Sequence, residues 1–304
     1  MITMMRKTLS ISVLVFFFSW LGQASIAQVS VPLPGSKVLE DLNMPSKILG
    51  KPVNFTVYLP EDYDTSTRRY PVVYLLHGYS DNETGWVQFG EVQEAADRAI
   101  ANREIPPMII VMPDGGVTWY INNHDGTVRW EDMFINEFIP FIDKEFRTRP
   151  KKEFRGISGL SMGGYGSLIL SMHHPDLFAA CAAFSAAVWT DEEVKAMPVN
   201  TRGGLFEDIF GTTSDKTLLT DHYKANSVMH IVGTRPKADL EKVRLYLDCG
   251  DDDFLYKGNS SLHILLRDRQ VRHEFRMRDG GHTWSYWRTG ITDGLRFIGE
   301  SFHR

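Results

Sequence analysis

A mostly parallel β-sheet covered by helices on both faces is the fold predicted for this 304-residue chain. Three features predict it. Wholly apolar runs at residues 71–76 and 108–112 stop at His77-Gly78 and at Pro113-Asp-Gly-Gly, as strands buried on both faces do. Stretches with apolar residues at helical spacing separate such runs. The alternation of strand and helix then continues to the end of the chain, which is the pattern of crossovers in a parallel sheet.

Residues 1–27 stand apart from this pattern. Arg6 and Lys7 precede an apolar stretch at 11–21, and small residues, Ser25 and Ala27, close the segment. This is the layout of a secretory signal peptide cleaved after Ala27. The apolar stretch is shorter than the roughly 20 residues that span a bilayer. Residues 28–304 are then expected to form one exported domain, periplasmic or extracellular, with no membrane span.

Pro32, Pro34 and Gly35 mark a short flexible entry. Residues 52–59 alternate apolar and polar side chains and read as a half-buried strand. After the strand at 71–76 come a helix at 92–103 and the strand at 108–112. A helix at 130–146 follows, with Pro140 expected to kink it. Next are a strand at 154–159, a helix at 165–174 stopped by Pro175, and a buried strand at 178–184. The remaining elements are a strand at 243–248, a helix at 260–269, a strand at 273–277 and a helix at 291–302. Residues 186–240 are too long for one crossover and carry Trp189, Phe206 and Phe210. They read as an insertion over the carboxyl edge, where open α/β sheets bind ligands.

Composition excludes several classes. Lys+Arg 33 against Asp+Glu 38, a net charge of −5, leaves no basic excess for a nucleic-acid partner. Two cysteines, Cys181 and Cys249, rule out a disulfide scaffold, and their place on buried strands predicts free thiols.

The strongest chemical signal is Gly159-Leu-Ser161-Met-Gly163-Gly164, a G-x-S-x-G turn between a strand and a helix. Such a sharp turn needs neighbours without side chains, and it presents the hydroxyl at a helix N-terminus. A serine hydroxyl is a weak nucleophile that requires a base and a group to orient that base. His282, in Asp279-Gly-Gly-His-Thr-Trp284, directly follows the last strand and is the candidate base. Four carboxylates, Asp248, Asp251, Asp252 and Asp253, follow or end the strand at 243–248 and stay open as the acid. Asp248 itself reads as part of the strand. A metal role for this acidic cluster is disfavoured, because it lacks an EF-hand spacing and a histidine pair. The amides of Met162 and of Tyr79, in the His77-Gly78-Tyr79 loop, are the candidate oxyanion donors. His77 is expected to brace that loop. Trp119, Tyr120, Trp189, Trp284 and Trp287 are candidates for an apolar acyl pocket.

These residues resemble the esterase D superfamily. The motifs are Leu75-Leu-His-Gly78 with Trp86, Gly159-Leu-Ser-Met-Gly-Gly164, Cys249-Gly-Asp-Asp-Asp253 and Gly280-Gly-His-Thr-Trp284. The closer similarity is to secreted bacterial feruloyl and acetylxylan esterases of carbohydrate esterase family 1, and to tributyrin-type esterases. It extends from about residue 40 to the end of the chain. The resemblance implies an α/β-hydrolase fold, Asp253 as the acid, and acyl transfer without cofactor or metal. The substrate it implies is a small ester or a feruloylated or acetylated oligosaccharide, with feruloyl expected ahead of acetyl. Rival readings are a short-chain esterase, S-formylglutathione hydrolase, a mycolyl-type acyltransferase, and a carbohydrate-binding protein on a hydrolase scaffold.

Overall fold

The computed structural model describes residues 35–197 and 205–303. The expected signal segment and residues 198–204 of the insertion lie outside the described residues. Among the described residues, eight strands form one sheet in the order β1-β2-β4-β3-β5-β6-β7-β8. The strands β1 (Lys37–Pro45) and β2 (Pro52–Leu59) form an antiparallel hairpin, and β2 is antiparallel to β4. From β4 onward all pairings are parallel: β4 (Ile109–Pro113), β3 (Val72–Leu76), β5 (Arg155–Leu160), β6 (Ala180–Phe184), β7 (Arg244–Gly250) and β8 (His273–Arg278).

The two faces can be read along β3. Val72, Tyr74 and Leu76 enter one core and Val73 and Leu75 the other, as the two-residue period of a strand requires. On one face lie the short α1 (Gly85–Gln88), then α2 (Val92–Ala101) and, from the far end of the chain, α12 (Trp284–Gly299). On the other lie α3 (Trp130–Met133), α4 (Ile139–Glu145), α5 (Met162–His173) and α11 (Tyr256–Asp268). The insertion adds α6 (Asp191–Ala196), α7 (Leu205–Phe210), α8 (Asp221–Ala225), α9 (Val228–Thr234) and α10 (Lys237–Leu240). Among the described residues no helix is long and apolar enough to cross a membrane.

Pro32 and Pro34 of the expected flexible entry lie outside the described residues. Two local expectations are corrected, and one strand was not foreseen: β1, nine residues long, with a bulge between Leu39 and Leu42. The strand β2 is more than half-buried, because Thr56 and Tyr58 are covered as well as their apolar neighbours. The helix at 130–146 does not simply kink at Pro140: a π-helical turn, Phe134–Phe138, joins α3 to α4 just ahead of it. Proline has no N–H to donate, so the turn widens and re-registers the helix. Trp130, Phe134 and Phe138 stack in succession along it, at centroid spacings of 5.0 and 5.8 Å.

Both cysteines are free and buried. Cys181 lies opposite Leu245 in the β6–β7 ladder, and Cys249 is four residues beyond Leu245. That offset is about 13 Å of strand, beyond the roughly 7 Å that a disulfide allows. Burial pushes the Cys181 thiol up to about 12 and raises Cys249 too. Titration of the unreduced protein with a thiol reagent should therefore find both thiols in denaturant and almost none in the native state.

Candidate active site

The turn after β5 is built from close backbone approaches. A Cβ at Gly159 would lie 2.5 Å from the Gly163 carbonyl oxygen. One at Gly163 would lie 2.5 Å from the His77 carbonyl oxygen and closer still to that of Leu76. Between these glycines Ser161 takes φ 53° and ψ −116°, a conformation that costs free energy for any residue with a side chain. Backbone hydrogen bonds hold it there. Its N–H donates to the Phe184 carbonyl at 2.9 Å, and its own carbonyl accepts from Tyr165 and Ala187 at 3.0 Å each.

Ser161 Oγ lies 2.9 Å from Nε2 of His282, and Nδ1 of the same ring lies 2.9 and 3.1 Å from the two oxygens of Asp253. Asp253 is wholly buried, whereas Asp251 and Asp252 are exposed. Burial by itself would raise the Asp253 carboxyl. Hydrogen bonds from His282, from the Ser185 hydroxyl and from the Leu255 amide outweigh it, holding the group below the usual carboxylate range. With Asp253 ionised, Nδ1 of His282 carries the proton and Nε2 is left to accept one from the serine.

Two loops zip together to keep this geometry. The Asp251 amide donates to the Arg278 carbonyl and the Asp252 amide to that of Gly280, both at 3.1 Å, while the Asp251 carboxylate accepts from the Gly280 amide at 3.0 Å. Asp251, Asp252 and Asp279 bring carboxylate oxygens within 4.8 Å of one another at the surface. Behind them Asp248, buried at the end of β7, accepts from Arg278 at 3.0 and 3.1 Å, from Tyr286 at 2.6 Å and from Tyr246 at 3.0 Å. Arg278 precedes His282 and Tyr286 follows it, so one buried carboxylate anchors both ends of the loop.

His77 is buried and braces the loop after β3. Its Nε2 accepts the Gly115 amide at 2.8 Å, which leaves Nδ1–H to donate to the Gly78 carbonyl at 2.7 Å. That loop runs against the serine: a Cβ at Gly78 would lie 2.7 Å from Leu160 Cδ1 and 3.6 Å from Ser161 Cβ. Tyr79 therefore borders the serine, and Met162 opens α5 beside it, where the amides of a first helical turn lack intrahelical acceptors.

A cleft of about 290 Å³ opens over Ser161. Its lining comes from the loop after β3 (Gly78, Tyr79, Asp81), the serine turn (Leu160, Ser161), Phe254, and the histidine loop with α12 (His282, Trp284, Trp287). Of the expected pocket aromatics, Trp284 and Trp287 line this cleft, but Trp119, Tyr120 and Trp189 do not. Trp119 and Tyr120 both have positive φ, and both are buried. Tyr120 donates to the His77 carbonyl at 2.8 Å. Trp119 packs with Tyr165, Trp189 and Phe206 at 5.0 to 5.6 Å. The insertion leaves from the carboxyl end of β6, yet its described residues pack along α5 and the loop after β4, and none of them lines the cleft.

Sequence reasoning missed Ser185. This residue directly follows β6 with φ 44°, accepts the Trp287 indole N–H at 2.9 Å and donates to Asp253. No motif marks it, because its role depends on which strand ends lie side by side.

A family model described as a putative esterase matches residues 46–298. An endo-1,4-beta-xylanase/feruloyl esterase of Xylanibacter ruminicola is 35% identical over 157 residues, which is 49% of this chain and 22% of that longer protein. An acetyl esterase of Caldicellulosiruptor saccharolyticus is 25% identical over 272 residues, covering 85% of this chain and 97% of that one. Among solved structures, a ferulic acid esterase superposes with a TM-score of 0.76 at 33% identity, over 88% of this chain and 99% of its own.

Proposed function

Since the chain belongs to this esterase family and is a carboxylic ester hydrolase, we propose that it is exported and removes ester decorations from plant polysaccharide, feruloyl groups ahead of acetyl. The observation that carries the chemistry is His282 set between Ser161 and Asp253 at hydrogen-bond distance on both sides. In the proposed cycle Ser161 Oγ attacks the ester carbonyl while His282 Nε2 takes its proton. The oxyanion is held by the amides of Met162 and Tyr79. His282 then protonates the departing alcohol oxygen, and water releases the acid by the same relay. Asp253 keeps the imidazole in the required tautomer and stabilises its cation. Every step uses side chains and amides of this chain.

The feruloyl preference rests on the cleft wall. Trp284 meets Trp86 and Trp287 edge to face at 5.3 and 5.4 Å, and Phe89 at 5.8 Å. Such a wall suits a planar aromatic acyl group better than a two-carbon one. Trp284→Ala should raise KM about tenfold for methyl ferulate and much less for nitrophenyl acetate, a difference of the size expected for one aromatic contact. The substrate order is read from kcat/KM across feruloylated arabinoxylan fragments, methyl ferulate, acetylated xylan and S-formylglutathione. A hundredfold preference for acetyl esters without ferulate release would overturn the acyl assignment and leave the esterase standing. Export is tested separately, by the N-terminal sequence of protein recovered outside the cytoplasm, which should begin at Gln28.

A further inference from the structure

Exposed large apolar side chains are few among the described residues, and the aromatic ones are Phe89, Phe254 and Tyr256, at 50%, 65% and 52% exposure. Phe254 lines the cleft, Tyr256 starts the helix two residues later, and Phe89 rests on the cleft residue Trp284. A large wet ring in the cleft wall, with a second against another cleft residue and a third two positions along the chain, signals a binding surface.

The reaction says which part of the ester meets them. The departing oxygen must reach Nε2 of His282, so the group it carries leaves along the imidazole. One flank of that ring is closed by Trp287, packed edge-on at 4.8 Å and almost fully buried. Beside the same ring is Phe254, 4.5 Å away and tilted by 48°, with most of its surface in water. We propose that Phe254 and Tyr256 form a leaving-alcohol subsite that takes a sugar ring, whose apolar C–H face lies on the aromatic rings while its hydroxyls remain hydrated. A fatty alcohol would need an enclosed apolar groove, and the exposure of these rings does not provide one. This inference rests on the polysaccharide-ester reading above and adds the recognition of the alcohol, which that reading leaves open.

The test varies the alcohol at constant acyl group. Methyl ferulate is paired with a feruloylated arabinoxylo-oligosaccharide, and methyl acetate with an acetylated xylo-oligosaccharide. For each pair the ratio of kcat/KM, sugar ester over methyl ester, is measured in wild type, Phe254→Ala, Phe254→Tyr and Tyr256→Ala. The ratio should fall about tenfold in Phe254→Ala, mainly through KM, fall severalfold in Tyr256→Ala, and be retained in Phe254→Tyr, which keeps the ring face. An unchanged ratio in Phe254→Ala would overturn the subsite, whether both esters lose equally, as when Phe254 merely supports His282, or neither does. If only the acetyl pair is turned over, the ratio is read there. The feruloyl preference then fails, while the subsite stands or falls on its own result.

Discussion

Ser161→Ala is expected to lower kcat by at least about a thousandfold, the loss typical of removing a triad nucleophile. What activity remains should come from the cleft and its amides acting on bound ester. The substitution removes one oxygen from a backbone fixed by three hydrogen bonds and by glycine contacts, so the fold and its melting temperature should scarcely change. Mass spectrometry after fluorophosphonate treatment gives the cleanest result. The wild type should gain one adduct, on the peptide containing Ser161, and the variant none. Labelling of the variant at the wild-type rate would place the nucleophile elsewhere.

Asp253→Asn should cost about 10³–10⁴-fold in kcat with a much smaller change in KM. An amide in this position can offer an N–H to Nδ1, which favours the tautomer whose Nε2 already holds its proton and cannot accept the serine's. Asp252→Asn should stay within a few fold, since its side chain is exposed and its tie to the histidine loop is made by the backbone. Asp251→Asn loses a charged acceptor for the Gly280 amide and should also stay within a few fold. Asp248→Asn differs in kind: it weakens a buried anchor bonded to Arg278 and two tyrosines, so its losses should appear in stability. Activity per fluorophosphonate-reactive site separates these cases. A large loss per site in Asp252→Asn would refute the assignment of the acid.

The sequence made some of this legible for local reasons. Buried strands such as Val72–Leu76 and Ala180–Phe184 are apolar at every position, and the serine turn announces itself because its glycines are forced by contacts within one strand–turn–helix unit. The histidine that lies against Ser161 was locatable by its place after the last strand. The aspartate bonded to it was not, because four aspartates within six positions differ in burial rather than in type, and only the resemblance chose among them. The strand β1 escaped because it is a largely exposed edge, broken by a bulge, with no alternation to read. Trp119 and Tyr120 misled because the partners that hold them in the core, His77, Trp130, Tyr165 and Phe206, are distant in sequence. The last helix begins at Trp284 and not near residue 291, since charged and polar residues such as Arg288 and Thr289 dilute its first turns.

The strand order also has a kinetic consequence. Ser161 and His282 lie 121 positions apart, on turns following β5 and β8, with β6 and β7 between them in the sheet. Pairings this distant form late, because the entropy of closing long loops comes before the contacts that compensate it. The serine turn is local and can be complete while His282 is still unattached. During refolding from denaturant, helical circular dichroism should therefore recover ahead of fluorophosphonate reactivity. Covalent labelling thus reports arrival of the last strand in the sheet, and serves as a clock for the end of folding.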